Sequence, residues 1–165
     1  PSWSAMIGVV SAALVLSYAV APITVAALRR NAPGLPRPFL VRGFAVLGPL
    51  SFIVAALIVY WSGWATVSWL LGLQIVLFFV YVGWRRRSPA HRDAVAQEVR
   101  SSLWLIAFYA LIMLASWLGT FGGRHIVGHP WDSLLVAAIA LVIYYWGAHT
   151  GLPASMLALG TTDDD

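Results

Sequence analysis

The stretch 27–42, with the sequence ALRRNAPGLPRPFLVR, separates two long segments that carry no charge. It contains four arginines, three prolines and no acidic residue. Residues 1–28 and 43–84, on its two sides, contain no Asp, Glu, Lys, Arg or His. A short basic connection, stiffened by prolines and set between two apolar runs, is typical of a cytoplasmic loop in a membrane protein.

The composition excludes a water-exposed globular domain. The chain has 165 residues, of which 61% are hydrophobic and 10% are charged, and its mean hydropathy is +0.83. Soluble domains carry about 25% charged residues, so the chain is predicted to be an integral membrane protein. The absence of cysteine from it excludes disulfides and thiolate metal sites. Its arginines flank apolar runs, which indicates membrane topology and not nucleic-acid binding.

Five apolar segments are long enough to cross a bilayer as helices, since a spanning helix needs about 20 residues. These segments lack the alternation of barrel strands and are too long for them. The predicted fold class is therefore all-α transmembrane, a single membrane region with five membrane-spanning helices. The predicted spans are residues 4–28, 44–61, 65–84, 101–120 and 131–149.

The arginines predict how these helices are oriented. Nine of the ten arginines fall in residues 29–43 and 85–100, which are alternate connections. The connection between the fourth and fifth spans carries only Arg124, and the turn at residues 62–63 carries no charge. By the positive-inside rule, the two basic connections and the tail 150–165 are cytoplasmic and the N-terminus is outside. The lipid bilayer is thus the first predicted partner.

Residues 88–99 form the polar part of the second basic connection. Ala94, Val95 and Val99 share one helical face, which favours a short amphipathic helix on the inner membrane surface. A solvated linker explains the same composition equally well, so both interpretations stay open at this point.

Few polar groups are expected within the membrane. No Asp, Glu, Lys or Arg is predicted inside a span, so this region is not expected to hold the charge-coupling centre of a pump or symporter. Tyr18 and Gln74 are candidates for lining a substrate pathway, although a structural hydrogen bond is the simpler role for each. Pro22 removes the helical hydrogen bond to the carbonyl of Tyr18 and is a candidate kink.

Three residues near the fifth span have a spacing that resembles half of a zinc site: His125, His129 and Asp132. Gly128 and Pro130 disfavour a helix that would place both imidazoles on one face. We therefore assign these residues to an outer loop and predict no metal site. The sequence shows no nucleophile–base pair and no glycine-rich phosphate loop, so neither a cofactor nor an enzymatic activity is predicted.

Several motifs resemble amino acid permeases of the amino acid–polyamine–organocation (APC) superfamily. The first is LSYAVAPI at 16–23, followed by LRRNAPGLPRPF at 28–39, which includes Arg29, Arg30, Pro33, Pro36, Arg37, Pro38 and Phe39. The others are GPLSFI at 48–53 and IVYWSGW at 58–64. They are similar to the tenth helix, the basic turn and Arg-Pro-Phe-type motif after it, and the eleventh and twelfth helices of bacterial members. Residues 1–87 carry the resemblance.

This resemblance implies the C-terminal piece of a LeuT-like (APC-type) transporter fold, with two helices beyond the usual twelve. It implies secondary active amino acid transport by alternating access, coupled to protons, in the bacterial cytoplasmic membrane. The main substrate site would lie in an N-terminal part outside this chain. That part, the amino acid and protons would then be further partners of these helices.

Two alternatives concern the extent and the role of the chain. It begins at Pro1 and not at Met, which favours a piece of a longer protein. The main alternative is a self-standing five-span membrane protein with a scaffold or lipid-interacting role. A membrane enzyme is the third interpretation, and the lack of acidic or histidine clusters in the spans disfavours it.

Overall fold

The structure, a computed structural model, describes residues 3–33, 41–87 and 92–150. Within these residues the chain forms five α-helices and no strand. All five helices are long and apolar enough to span a membrane, which confirms the predicted all-α transmembrane fold. The helices are α1 (Trp3–Asn31), α2 (Phe44–Trp61), α3 (Trp64–Arg85), α4 (Arg92–Leu118) and α5 (Trp131–His149).

The helix boundaries agree with the prediction for the second, third and fifth spans. α2 and α5 begin and end at the predicted residues, and α3 is one residue longer at each end. α1 extends further than predicted, because Arg29 and Arg30 lie in its last turn and not in a loop. Basic side chains are favoured there by the negative end of the helix dipole.

The fourth helix differs most from the prediction. A continuous backbone helix runs from Arg92 to Leu118, so residues 92–99 are the first turns of α4 and not a separate helix. Residues 88–91 of the predicted polar segment lie outside the described residues. α4 ends before Thr120 because glycine follows at position 119 and the chain turns back. The amides of Arg124 and Ile126 then donate to the carbonyls of the last turn at 2.7 and 2.9 Å. The carbonyls that a helix end leaves unpaired are thereby satisfied.

α1 stays helical across Pro22. The hydroxyl of Thr24, two residues later, donates to the carbonyl of Val20 at 3.1 Å. Such side-chain bonds help to satisfy the backbone around a proline in a membrane helix. The predicted kink at Pro22 stays a prediction.

The core of the bundle lies around α5, which packs against α1, α2 and α4. The ring of Phe52 in α2 is 5.0 Å from that of Phe108 in α4 and 6.2 Å from that of Tyr144 in α5. Gly147 brings α5 close to α1 and α4, because it places no side chain between them. Small residues at such contacts let membrane helices approach closely.

α3 is the peripheral helix of the bundle, and it packs mainly on α4. Its outer face exposes large apolar side chains, among which Trp69 and Trp84 are 78% and 72% exposed. A surface of this composition suits contact with lipid, with indole rings favoured near the headgroup layer.

Replacing Gly147 with Ala is expected to destabilise the bundle. The new Cβ would lie 2.8 Å from Cγ2 of Ile23 and 3.0 Å from Cδ2 of Trp104. Overpacking of this kind costs about 1–3 kcal/mol. The measurement is the thermal unfolding midpoint of the detergent-solubilised protein.

The matched control is Gly72→Ala in α3, where a Cβ would meet no atom within 4 Å. Alanine has a higher helix propensity than glycine by about 1 kcal/mol, so this change should raise the midpoint or leave it unchanged. An equal loss of stability in both variants would contradict the close packing of α5 on α1 and α4.

Candidate functional site

A polar cluster lies where the C-terminal end of α2 meets the N-terminal end of α5 and the α4–α5 connection. This Asp132 cluster consists of Tyr60, Thr120, His129, Asp132 and Ser133. Asp132 lies in the first turn of α5, and its side chain is only 2% exposed. The predicted outer-loop position of Asp132 is therefore wrong. The residue lies within the predicted fifth span, 131–149, and the first turn of α5 carries its carboxylate into the bundle. A span thus contains an acid, contrary to the prediction.

Both carboxylate oxygens of Asp132 accept hydrogen bonds. The hydroxyls of Tyr60 and Thr120 donate to Oδ2 at 2.7 and 2.5 Å, and the Thr120 amide adds a contact of 3.4 Å. The amide and hydroxyl of Ser133 donate to Oδ1 at 2.6 and 3.3 Å. Hydrogen bonds to an ionised acceptor are stronger than neutral ones, so this arrangement joins α2, α5 and the α4–α5 connection at one point.

The surroundings of Tyr60 hold its hydroxyl in place. The Tyr60 ring contacts the ring of Phe121 edge-on, with centroids 5.4 Å apart. A Cβ at Gly119 would overlap the Tyr60 hydroxyl, so only glycine fits at that position. The next residue of α2, Trp61, donates its indole N–H to the hydroxyl of Ser133 at 3.3 Å. Two successive residues of α2 therefore bind the first turn of α5.

His129 is the partner of Asp132 in a possible ion pair among the described residues. Its Nδ1 lies 3.5 Å from Oδ1 of Asp132, and the imidazole is 65% exposed. His125 is exposed as well and does not join the cluster. The described residues contain no group of three His, Cys, Asp or Glu side chains that could hold a metal ion.

The chemistry of the cluster favours a structural role. Each carboxylate oxygen already accepts at least two hydrogen bonds from the protein, which leaves little capacity for a substrate. Burying a charge within a membrane bundle is costly unless donors surround it. The cluster therefore fastens the helices at this end of the bundle and is not arranged as an open binding site.

Tyr18 and Pro22 line an apolar groove between α1 and α2. The groove has a volume of about 410 Å³ and is closed on the other side by Leu47, Leu50 and Val54 of α2. Tyr18 is 73% exposed, and its hydroxyl has no hydrogen-bond partner among the described residues. Tyr18 thus makes no side-chain hydrogen bond to the described residues, and its place in a substrate pathway stays a prediction.

Gln74 lies on a different surface. It is exposed in the middle of α3, and among the described residues its side chain has no hydrogen-bond partner. The predicted interhelical hydrogen bond is therefore not formed within this part of the chain. Gln74 is not among the residues that line the groove at Tyr18.

The basic motif is only partly visible. Arg29 and Arg30 end α1, and Pro33 follows them as an exposed residue. The remaining motif residues, Pro36, Arg37, Pro38 and Phe39, lie outside the described residues.

Comparison with known proteins relates this fold to transport. No protein-family model matches the chain. No solved structure matches it. The chain is 51% identical over 158 residues to the aspartate–proton symporter of Bacillus subtilis (strain 168), a match that covers 95% of this chain and 30% of that protein. It is 30% identical over 160 residues to the glutamate/serine transporter AimA of the same organism, covering 94% of this chain and 29% of AimA.

These homologues are amino acid transporters. Neither is an enzyme, and the similarity extends over nearly the whole of the present chain, including α4 and α5. The chain spans about 30% of the length of these curated relatives. It is thus an integral membrane segment whose homologues carry amino acids.

Replacing Tyr60 with Phe is expected to destabilise the protein by about 1.5–3 kcal/mol, the usual contribution of a hydrogen bond to a charged group. The bond lost is the 2.7 Å contact from the hydroxyl to Asp132. Asp132→Asn should destabilise it at least as much, because the amide N–H₂ would face donors. Thermal unfolding of the solubilised protein measures both effects.

The matched control is Tyr109→Phe in α4. Tyr109 is also buried, but its hydroxyl has no hydrogen-bond partner among the described residues. Its removal should change stability by less than about 0.5 kcal/mol. If Tyr60→Phe changed stability as little as Tyr109→Phe, the hydrogen bond from Tyr60 to Asp132 would not stabilise the bundle.

Proposed function

We propose that this chain is the C-terminal segment of a proton-coupled secondary amino acid transporter of the APC superfamily, which works by alternating access. The observation that carries the proposal is the match of 95% of the chain, at 51% identity, to an aspartate–proton symporter. The five apolar helices support it, since they are what such a transporter needs in the membrane.

The substrate site and the coupling centre belong, in this proposal, to an N-terminal part that precedes α1. Transporters of this kind bind substrate near the midplane, at broken helices of inverted repeats. α2 to α5 are unbroken helices, and the one acid in the spans is already saturated by protein donors. The relatives leave room for such a part, because this chain covers only 30% of the aspartate–proton symporter.

Acidic amino acids are the first substrates to test. One relative is named for aspartate and the other for glutamate and serine. α1 would flank the path of the substrate, with Tyr18 at its exposed face. Tyr18 suits that position because its hydroxyl is exposed and not engaged by the described part of the chain.

Uptake into proteoliposomes tests this function. The full-length protein that contains this chain should accumulate aspartate or glutamate when a pH gradient, acidic outside, is imposed, and collapse of the gradient should abolish accumulation. Residues 1–165 alone should show no uptake. Coupled uptake by these residues alone would overturn the proposal that the substrate site lies elsewhere.

The same assay addresses the substrate path. Tyr18→Ala in the full-length protein should lower uptake with little change in stability. Trp69→Ala is the matched control, because Trp69 is similarly exposed but lies on α3. Equal uptake by the two variants would contradict the proposal that Tyr18 lines the substrate path.

The proposed orientation places the arginine-rich connections in the cytoplasm of a bacterial cell and the N-terminus outside. This chain contains no cysteine, so single cysteines can be introduced without background from it. Ser62→Cys, in the α2–α3 turn, should react with a membrane-impermeant maleimide in intact cells. Arg87→Cys, at the opposite end of α3, should react only after the membrane is opened. The reverse pattern would invert the topology.

A further inference from the structure

Arg29, in the last turn of α1, is a partly buried cation without a counter-ion in the described structure. Its guanidinium carbon lies 4.3 Å from the centroid of the Phe44 ring, the first residue of α2. Among the described residues it has neither a hydrogen bond nor an acidic partner. Stacking on the ring orients the guanidinium plane but leaves its N–H donors free.

Tyr144 of α5 contributes a second polar group to the junction of α1, α2 and α5. Its side chain is 4% exposed, and its hydroxyl lies against α2, where a Cβ at Gly48 would overlap it. The same Cβ position is 3.2 Å from Cε1 of Phe44, so the Tyr144 hydroxyl and the ring that stacks on Arg29 meet at Gly48. The Tyr144 hydroxyl has no hydrogen-bond partner among the described residues. No described residue forms a hydrogen bond with either group, so both can donate to an acceptor from outside the described residues.

The charge around this junction is positive. Arg30 and Arg42 are exposed at the same end of α1 and just before α2. Asp132 is the one acidic residue whose side chain the structure describes, and it lies at the opposite end of α5. The junction also lies at the ends of two spans, which is the depth of the lipid headgroups.

We propose that Arg29 and Tyr144, where α1, α2 and α5 meet, form a site for the phosphodiester of an anionic phospholipid. The planar guanidinium can bind two phosphate oxygens side by side, and the tyrosine hydroxyl donates to a third acceptor. Arg30 and Arg42 favour a headgroup with net negative charge over a zwitterionic one. A lipid is the chosen ligand because the site lies at the membrane boundary.

Lipid titration followed by native mass spectrometry tests the site in the full-length, detergent-solubilised protein. Phosphatidylglycerol should bind about tenfold more tightly than phosphatidylcholine, as expected for one or two charge-assisted hydrogen bonds. Arg29→Gln should remove this preference, and Tyr144→Phe should reduce it. Arg86→Gln is the matched control, because Arg86 is exposed at the end of α3 and should leave the preference intact.

Four outcomes would overturn the proposal. Equal binding of the two lipids would indicate a surface that does not discriminate headgroup charge. An equal loss of the phosphatidylglycerol preference in Arg29→Gln and Arg86→Gln would indicate general attraction of anionic lipid to the basic surface. Inorganic phosphate binding as tightly as the lipid would indicate a soluble-anion site. If Arg29→Gln does not fold, Arg29→Lys replaces it, since lysine keeps the charge but not the planar fork. Unchanged lipid preference in Arg29→Lys would then be the fourth contradicting outcome.

Discussion

The bundle depends on how the carboxylate of Asp132 is buried, because protein donors surround it and shield it from lipid. Asp132 would be expensive to bury without partners, and the hydroxyls of Tyr60, Thr120 and Ser133 supply them. Because these donors come from α2, from α5 and from the connection before α5, satisfying one charge also sets the distances between three segments. Apolar packing alone discriminates weakly among helix arrangements in lipid, since lipid is as apolar as the side chains.

The two ends of the bundle are held in different ways. At the Asp132 end, polar groups meet polar groups within the protein, and the backbone amide of Trp64 also reaches the Phe121 carbonyl at 2.9 Å. At the other end, the guanidinium of Arg29 stacks on the ring of Phe44, and its N–H groups form no hydrogen bond with the described residues. One end of the bundle is therefore fixed by contacts within the protein, while the other end keeps hydrogen-bond donors that can bind groups outside the described residues.

Much of the fold follows from the sequence, and the site does not. α2 and α5 are predicted to the residue, because long apolar runs flanked by glycine, proline or charge have unambiguous limits. Pro130 and the neighbouring histidines favour a turn at Asp132, although the predicted fifth span already begins at residue 131. That proline instead precedes a helix, whose first turn carries the acid inward. Tyr60 reaches that carboxylate only because α2 packs against α5 in the folded bundle, since the two residues are far apart in sequence. The sequence places a tyrosine near the end of one span and an aspartate near the start of another. This pattern predicts a hydrogen bond only if the two spans are already known to be neighbours.

The bond from the Trp64 amide to the Phe121 carbonyl has a consequence for how this protein can be observed. A first-turn amide of a helix has no partner within its own helix, so it normally exchanges its hydrogen with water quickly. Here that amide is shielded by a carbonyl from the α4–α5 connection. Its hydrogen-exchange rate therefore reports, from a single position, whether the α2–α3 turn and the α4–α5 connection stay joined in the membrane.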